Sequence, residues 1–142
     1  MIDHDARHRL LDALRSALAR GPALRFAILF GSQARGTARA DSDVDVAFMP
    51  TEPLTMAQEH ALAAELERAA GTTVDLVPVA DAPMALRWRI ARDGIVLCSS
   101  PPHTASRFLA ETGIAHDELR DLELAGMRRF RAALARERTP SA

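Results

Sequence analysis

The residues best equipped for chemistry lie in Phe30-Gly31-Ser32-Gln33-Ala34-Arg35-Gly36 and, shortly after, Asp41-Ser42-Asp43-Val44-Asp45-Val46. Gly31 can take a positive φ and lets backbone approach a ligand closely, and Ser32 adds a hydroxyl donor for a phosphate oxygen. Asp43 and Asp45 stand two apart, so on a strand they project from one face with Ala47, while Val44, Val46 and Phe48 take the other. Two such carboxylates repel as anions unless a cation sits between them, and hard oxygen donors suit Mg²⁺ or Mn²⁺. A phosphate-cradling turn with a paired carboxylate reads as a nucleotide-handling metal site. Asp45 carries most weight, because a carboxylate inside an apolar strand is expensive to bury without a partner. Arg35 lies within reach of the turn and offers a forked donor to phosphate oxygens; bracing the loop through Asp41 is its structural alternative. Each fragment alone is common as plain structure, since Gly-Ser often follows a strand and Asp-rich turns are solvated punctuation.

The elements around these residues must deliver them to one place. Phe26 to Phe30 is an apolar run ending in a small-residue turn, the pattern of a buried strand over 25–31. Gln33 to Arg39 reads as a short helix whose exposed N–H groups face the turn. A second strand spans 43–49 and ends at Pro50; antiparallel pairing with the first would set Ser32 beside Asp43. Met56 to Ala70 is a helix closed by Gly71, and Thr73 to Val79 a third strand. If that helix crosses the sheet, Asp75 returns to the carboxylate edge, although a solvent-facing edge position would also suit it. Pro83 to Arg92 is a helix with proline near its first turn, and Gly94 to Cys98 a fourth strand. Ahead of all this, Asp3 to Arg20 carries Leu10, Leu11, Leu14 and Leu18 at helical spacing and stops at Gly21-Pro22.

Beyond Pro101-Pro102 the chain becomes a helical tail in two pieces, 104–112 and 115–136, with an apolar stripe and a basic end. The simplest role of the tail is packing on the same domain; a partner surface or a homo-oligomer contact stays open. Fraying is expected from Arg138 onward. The pattern predicts an α/β (α+β) protein with a small mixed four-stranded sheet flanked by helices, its core at 1–100 and a helical extension at 101–142.

Composition removes several classes of function. A formal charge of −1 and a pI near 6.5 provide no global basic field, which disfavours nucleic acid as substrate. All 18 basic residues are Arg, so there is no Walker-type or Schiff-base lysine. Cys98 is the single cysteine; it sits in an apolar strand and reads as a small hydrophobe, with no disulfide and no cysteine-rich zinc site. The five histidines show no metal-ligand spacing. Arg87, Trp88 and Arg89 could form a stacking and phosphate patch, but Trp88 on a short helix is more simply a packing anchor. No apolar run approaches the ~20 residues of a membrane span, and the N-terminus lacks a secretory apolar segment; a cytoplasmic protein with no membrane association is the expectation.

Gly31-Ser32, ten residues, then Asp43-x-Asp45 resembles the signature of the nucleotidyltransferase superfamily that includes DNA polymerase beta. Asp75 stands on a later strand where that superfamily carries a third carboxylate. Over about residues 22 to 99 the arrangement is similar to the minimal nucleotidyltransferases (MNT), MntA-like antitoxins often encoded beside a HEPN-domain toxin. The resemblance implies a polymerase beta palm-like fold and Mg²⁺-dependent transfer of AMP from ATP to a hydroxyl, a tyrosine of the partner toxin. It implies Asp43, Asp45 and Asp75 as catalytic and metal-binding residues, with Gly31, Ser32, Asp43 and Asp45 holding the nucleotide; Arg35 joins that nucleotide set on its position. The chain contains no Tyr, so a tyrosine acceptor must come from another protein. Three other readings share the motif: a non-catalytic antitoxin that occludes its partner, a small-molecule (antibiotic-type) nucleotidyltransferase, and a bare nucleotide-binding domain awaiting an acceptor-binding subunit.

Overall fold

The structure, a computed structural model, describes residues 4–39 and 42–138. Its element order is α1 (His4–Ala19), β1 (Leu24–Phe30), α2 (Ser32–Arg35), β2 (Val44–Pro50), α3 (Met56–Ala70), β3 (Val74–Pro78), a 3₁₀ turn (Val79–Asp81), α4 (Met84–Asp93), β4 (Ile95–Ser99) and α5 (Thr104–Arg138). One mixed sheet runs in the order β3-β2-β1-β4. β1 pairs antiparallel with both neighbours, and β2 pairs parallel with β3. A parallel pair needs a crossover, which α3 supplies.

β1 is central and covered on both faces, which is why it reads as an unbroken apolar run rather than an alternation. Ala27 and Leu29 join Val44, Val46 and Phe48 beneath α1 and α3, where Leu11, Leu14, Leu18, Leu62 and Leu66 close the core. Phe26, Ile28 and Phe30 face the other way with Ala47 and Val79, under Ile90 of α4 and Ala105 of α5. At ~25 cal/mol per Å² of buried apolar surface, these two layers supply the main drive to fold. Gly94 is required by space rather than by φ: a Cβ there would stand 2.3 Å from the Ile90 carbonyl oxygen and 2.6 Å from Ile28 Cγ2. α3 begins with a capping box between Thr55 and Gln58 and ends at Gly71, whose φ of 73° closes the last turn.

Several boundaries differ from the sequence reading. α2 stops at Arg35 instead of Arg39, because Gly36 takes a left-handed φ of 75° and returns its N–H to the Ser32 carbonyl. Gly31 lies just past β1 and Asp43 just ahead of β2. Val79 leaves the third strand to open the 3₁₀ turn. The expected break in the tail at Gly113-Ile114 is absent, and α5 runs unbroken from Thr104 to Arg138. An interior glycine costs only about 1 kcal/mol, whereas restarting a helix requires a new nucleus. The fraying expected at Thr139–Ala142 lies outside the described residues. No described helix is long and apolar enough to cross a membrane.

Candidate active site

Gly31 turns the chain out of β1 with φ 75°, and its carbonyl accepts the Arg35 N–H at 3.1 Å. Gln33, 3% exposed, donates from Nε2 to the Ser42 carbonyl at 3.1 Å. Ser42 in turn accepts the Arg39 N–H on Oγ at 2.9 Å and donates its own N–H to the Arg39 carbonyl at 3.0 Å. The Gly31-Ser32 turn is thereby tied to the residues that lead into Asp43. From sequence Gln33 is only the first residue of the short helix expected to Arg39; its burial and its bond to Ser42 show its role.

The carboxylates meet through register. Asp45 lies opposite Phe30 in the antiparallel ladder and opposite Asp75 in the parallel one. Val44 and Val74 face the core under α1 and α3, so alternation turns Asp43, Asp45 and Asp75 to the opposite face, the one that α4 and α5 partly cover. Asp45 is half-buried, whereas Asp43 and Asp75 are exposed. Burial, then the neighbouring Asp75 and Asp43 carboxylates, push the Asp45 carboxyl above its ordinary value, opposed by the Arg89 and Arg35 guanidinium groups. A glycine is mandatory beside it: a Cβ on Gly31 would stand 2.3 Å from Asp45 Oδ2.

Arg35 reaches toward this cluster but pairs with Asp93, Nη1 to Oδ2 at 3.4 Å. Asp93, only 10% exposed in its side chain, also holds Arg92 at 2.9 Å. The Arg92 hydrogen bond, aided by Arg35, keeps the Asp93 carboxyl below the usual carboxylate range. Asp41, the alternative brace for Arg35, lies outside the described residues.

The Arg87-Trp88-Arg89 triplet divides into three roles. Arg87 donates to the Ala82 and Ala80 carbonyls and secures the loop before α4. Trp88 stacks on His116 with centroids 3.9 Å apart and rings 5° from parallel, pinning α4 to α5. Arg89 is exposed and acts electrostatically on Asp45. It also lines a groove of about 390 Å³ between α4 and α5, together with Trp88, His116 and Leu119. Cys98 is half-buried, and burial pushes its thiol up, in line with a packing role.

Among the described residues no three His, Cys, Asp or Glu side chains are arranged to hold a metal ion unaided. The donor set nevertheless fits a divalent cation. Mg²⁺ is bound through one or two carboxylates, with waters and substrate phosphates completing its octahedron. The half-buried Asp45 beside Asp43 and Asp75 carries a repulsion that such an ion relieves.

Comparison with known proteins agrees with this fold. No curated protein matches the chain. A crystal structure of a toxin-antitoxin with AMP-PNP contains a chain 25% identical, with TM-score 0.63, covering 87% of this chain and 97% of that one. A structure described as a minimal nucleotidyltransferase is 34% identical, with TM-score 0.55 over 66% of this chain and 95% of that one. A chain from a tri-AMPylated Shewanella oneidensis HEPN toxin in complex with MNT antitoxin shares the fold at 22% identity, TM-score 0.58, covering 88% of this chain and 95% of that one. Residues 12–103 match the family model for polymerase beta nucleotidyltransferases, and the chain belongs to that family.

Proposed function

We propose that this protein is a nucleotidyltransferase of the antitoxin type, transferring AMP from ATP to a hydroxyl group, a tyrosine, of a HEPN-type toxin. The observation that carries the reading is the in-register placement of Asp45 between Phe30 and Asp75, with Gly31 pressed against its carboxylate. Structures of the same fold from a toxin-antitoxin with AMP-PNP and from an AMPylated HEPN toxin complex support the choice of nucleotide and acceptor.

In this reading the Gly31-Ser32 turn and the Ser32 hydroxyl hold the β and γ phosphates, and Arg35 adds a forked donor at their edge. Asp43 and Asp45, with Asp75, would hold Mg²⁺ or Mn²⁺, which neutralises phosphate charge and fixes the reacting groups in line. Asp75, exposed at the rim, orients the incoming hydroxyl and accepts its proton. The acceptor oxygen forms a bond to the α-phosphorus, the bond from that phosphorus to the bridging oxygen breaks, and pyrophosphate leaves. Positioning and charge stabilisation carry most of such a barrier. Arg89, on the same face, offers a further cation to the charge that develops there.

Co-expression with the toxin tests the reading. Wild type should protect cells, and Asp43→Asn with Asp45→Asn should fold but fail to protect. A double variant that protects fully would replace transfer by simple occlusion of the partner.

A further inference from the structure

Asp43 stands between two fixed backbone groups. Behind it, the Val44 N–H donates to the Thr73 carbonyl at 2.9 Å, two residues ahead of Asp75. Before it, the Ser42 carbonyl accepts from Gln33 Nε2 at 3.1 Å. The first bond belongs to the margin of the sheet, whereas the second is a single side chain reaching over from the turn that follows Gly31-Ser32. The base of that side chain is itself anchored. Its neighbour Ala34 is buried and gives its carbonyl to the Arg7 guanidinium of α1, and the Arg35 N–H returns to the Gly31 carbonyl at 3.1 Å. Gln33 therefore reaches toward Ser42 from a platform tied to both α1 and the end of β1.

A second observation separates this amide from ordinary packing. Gln33 is 3% exposed, yet its Oε1 is buried with no hydrogen-bond partner among the described residues. A buried acceptor left unmade costs stability, so an apolar side chain of the same length would suit the interior better; what it could not do is donate to Ser42. We propose that Gln33 is a positioning residue whose amide pre-sets Asp43 against the Gly31-Ser32 turn, so that a divalent cation arriving with nucleotide meets a ligand already in place. The proposal rests on the reading of Asp43 as a ligand of that cation and adds the residue that orders it. The strand ladders pair Val44 and Asp45 but not Asp43, which is exposed just ahead of β2. Without the amide, the segment leading into Asp43 must be ordered as the ion binds, and that ordering subtracts from affinity. Once the ion is bound the same geometry is restored, so the loss falls on binding and not on the chemical step.

Titration calorimetry of the full chain with a non-hydrolysable ATP analogue, run once with excess Mn²⁺ and once with EDTA, tests the assignment. Gln33→Met keeps length and volume but cannot donate, and Gln33→Leu takes its place should that variant fail to fold. With Mn²⁺ the variant should bind the analogue about tenfold more weakly than wild type, the cost of ordering one segment on binding. With EDTA it should bind as wild type does, because the Gly31-Ser32 turn is untouched. Its melting temperature should stay close to that of wild type, since removal of the unpartnered acceptor offsets the lost hydrogen bond. In transfer assays KM for MgATP should rise by the same factor with kcat little changed. Equal affinity of wild type and a folded variant in Mn²⁺ would overturn the proposal and leave the reading of Asp43 intact. Equal losses in Mn²⁺ and EDTA, or a melting temperature and kcat that fall together, would mark Gln33 as merely structural and also overturn it. A wild type that gains no affinity from Mn²⁺ would overturn the metal reading itself and this proposal with it.

Discussion

Gly31 and Asp45 are locked to each other: a Cβ on Gly31 would stand 2.3 Å from Asp45 Oδ2, and Gly31 holds φ +75°. The turn proposed to hold phosphate and the carboxylate proposed to hold a cation share one boundary, so neither can change alone. Gly31→Ala should lose about 1–2 kcal/mol of stability from the left-handed backbone. It should also swing Asp45 aside and cut transfer by about 100-fold, the penalty of a ~1 Å misplacement. Thermal melts and steady-state rates measured on the same preparation check both; unchanged rates would separate the turn from the chemistry.

Asp45→Asn should stabilise the ligand-free protein. The folded state raises the Asp45 pKa, chiefly by burial, so it binds more protons than the unfolded state and stability falls as pH climbs from the ordinary carboxylate value through the folded one. Above that window the penalty is fully present, and below it is gone. The variant should therefore melt higher than wild type at neutral pH, with the gap closing under acid conditions. Adding MgATP should reverse the order. Differential scanning calorimetry at two pH values, with and without nucleotide, measures this.

The Arg35–Asp93 pair behaves with the opposite sign. Asp93 is held below the ordinary range, first by Arg92 and then by Arg35, so its contribution is present above the unfolded value and is lost as pH falls through the folded one. Asp93→Asn should melt lower than wild type at neutral pH and match it in acid. Arg35→Gln should raise KM for ATP about tenfold, ~1.4 kcal/mol, with kcat little changed. A fall in kcat at constant KM would place Arg35 on the acceptor side.

Chelation should abolish transfer without unfolding the chain, because Asp43, Asp45 and Asp75 are not part of the apolar core that Leu14, Val44, Val46 and Leu66 build. Activity should return with Mg²⁺ or Mn²⁺. Circular dichroism and the transfer rate, followed together through an EDTA titration, distinguish loss of activity from loss of fold; transfer that persists in excess chelator would contradict the assignment of Asp43, Asp45 and Asp75.

Much of this was legible in the residues. The apolar run of β1 and the Asp43-Asp45 alternation are local patterns; for Asp75 the residues left both a return to the carboxylates and a solvent-facing edge open, and the structure has it opposite Asp45 on the exposed edge strand β3. Gln33 was not legible as a site residue, and Arg89 was legible only as part of a possible stacking and phosphate patch with Arg87 and Trp88, since a buried amide clamp and a cation acting across from α4 depend on contacts distant in sequence. The unbroken α5 was hidden for a related reason: Gly113 is a weak breaker, and a helix seated by Ala105 and Phe108 tolerates it. The partner of Arg35 was equally invisible, because Asp93 lies far along the chain and reaches the site only through the packing of α4.

Intact mass spectrometry of a HEPN-type toxin incubated with this protein, ATP and Mg²⁺, beside the Asp43→Asn, Asp45→Asn variant, tests the central claim most directly. The account predicts a mass increase by whole AMP units with wild type alone, mapping to a tyrosine. A stable complex of unmodified toxin with wild-type protein would contradict it.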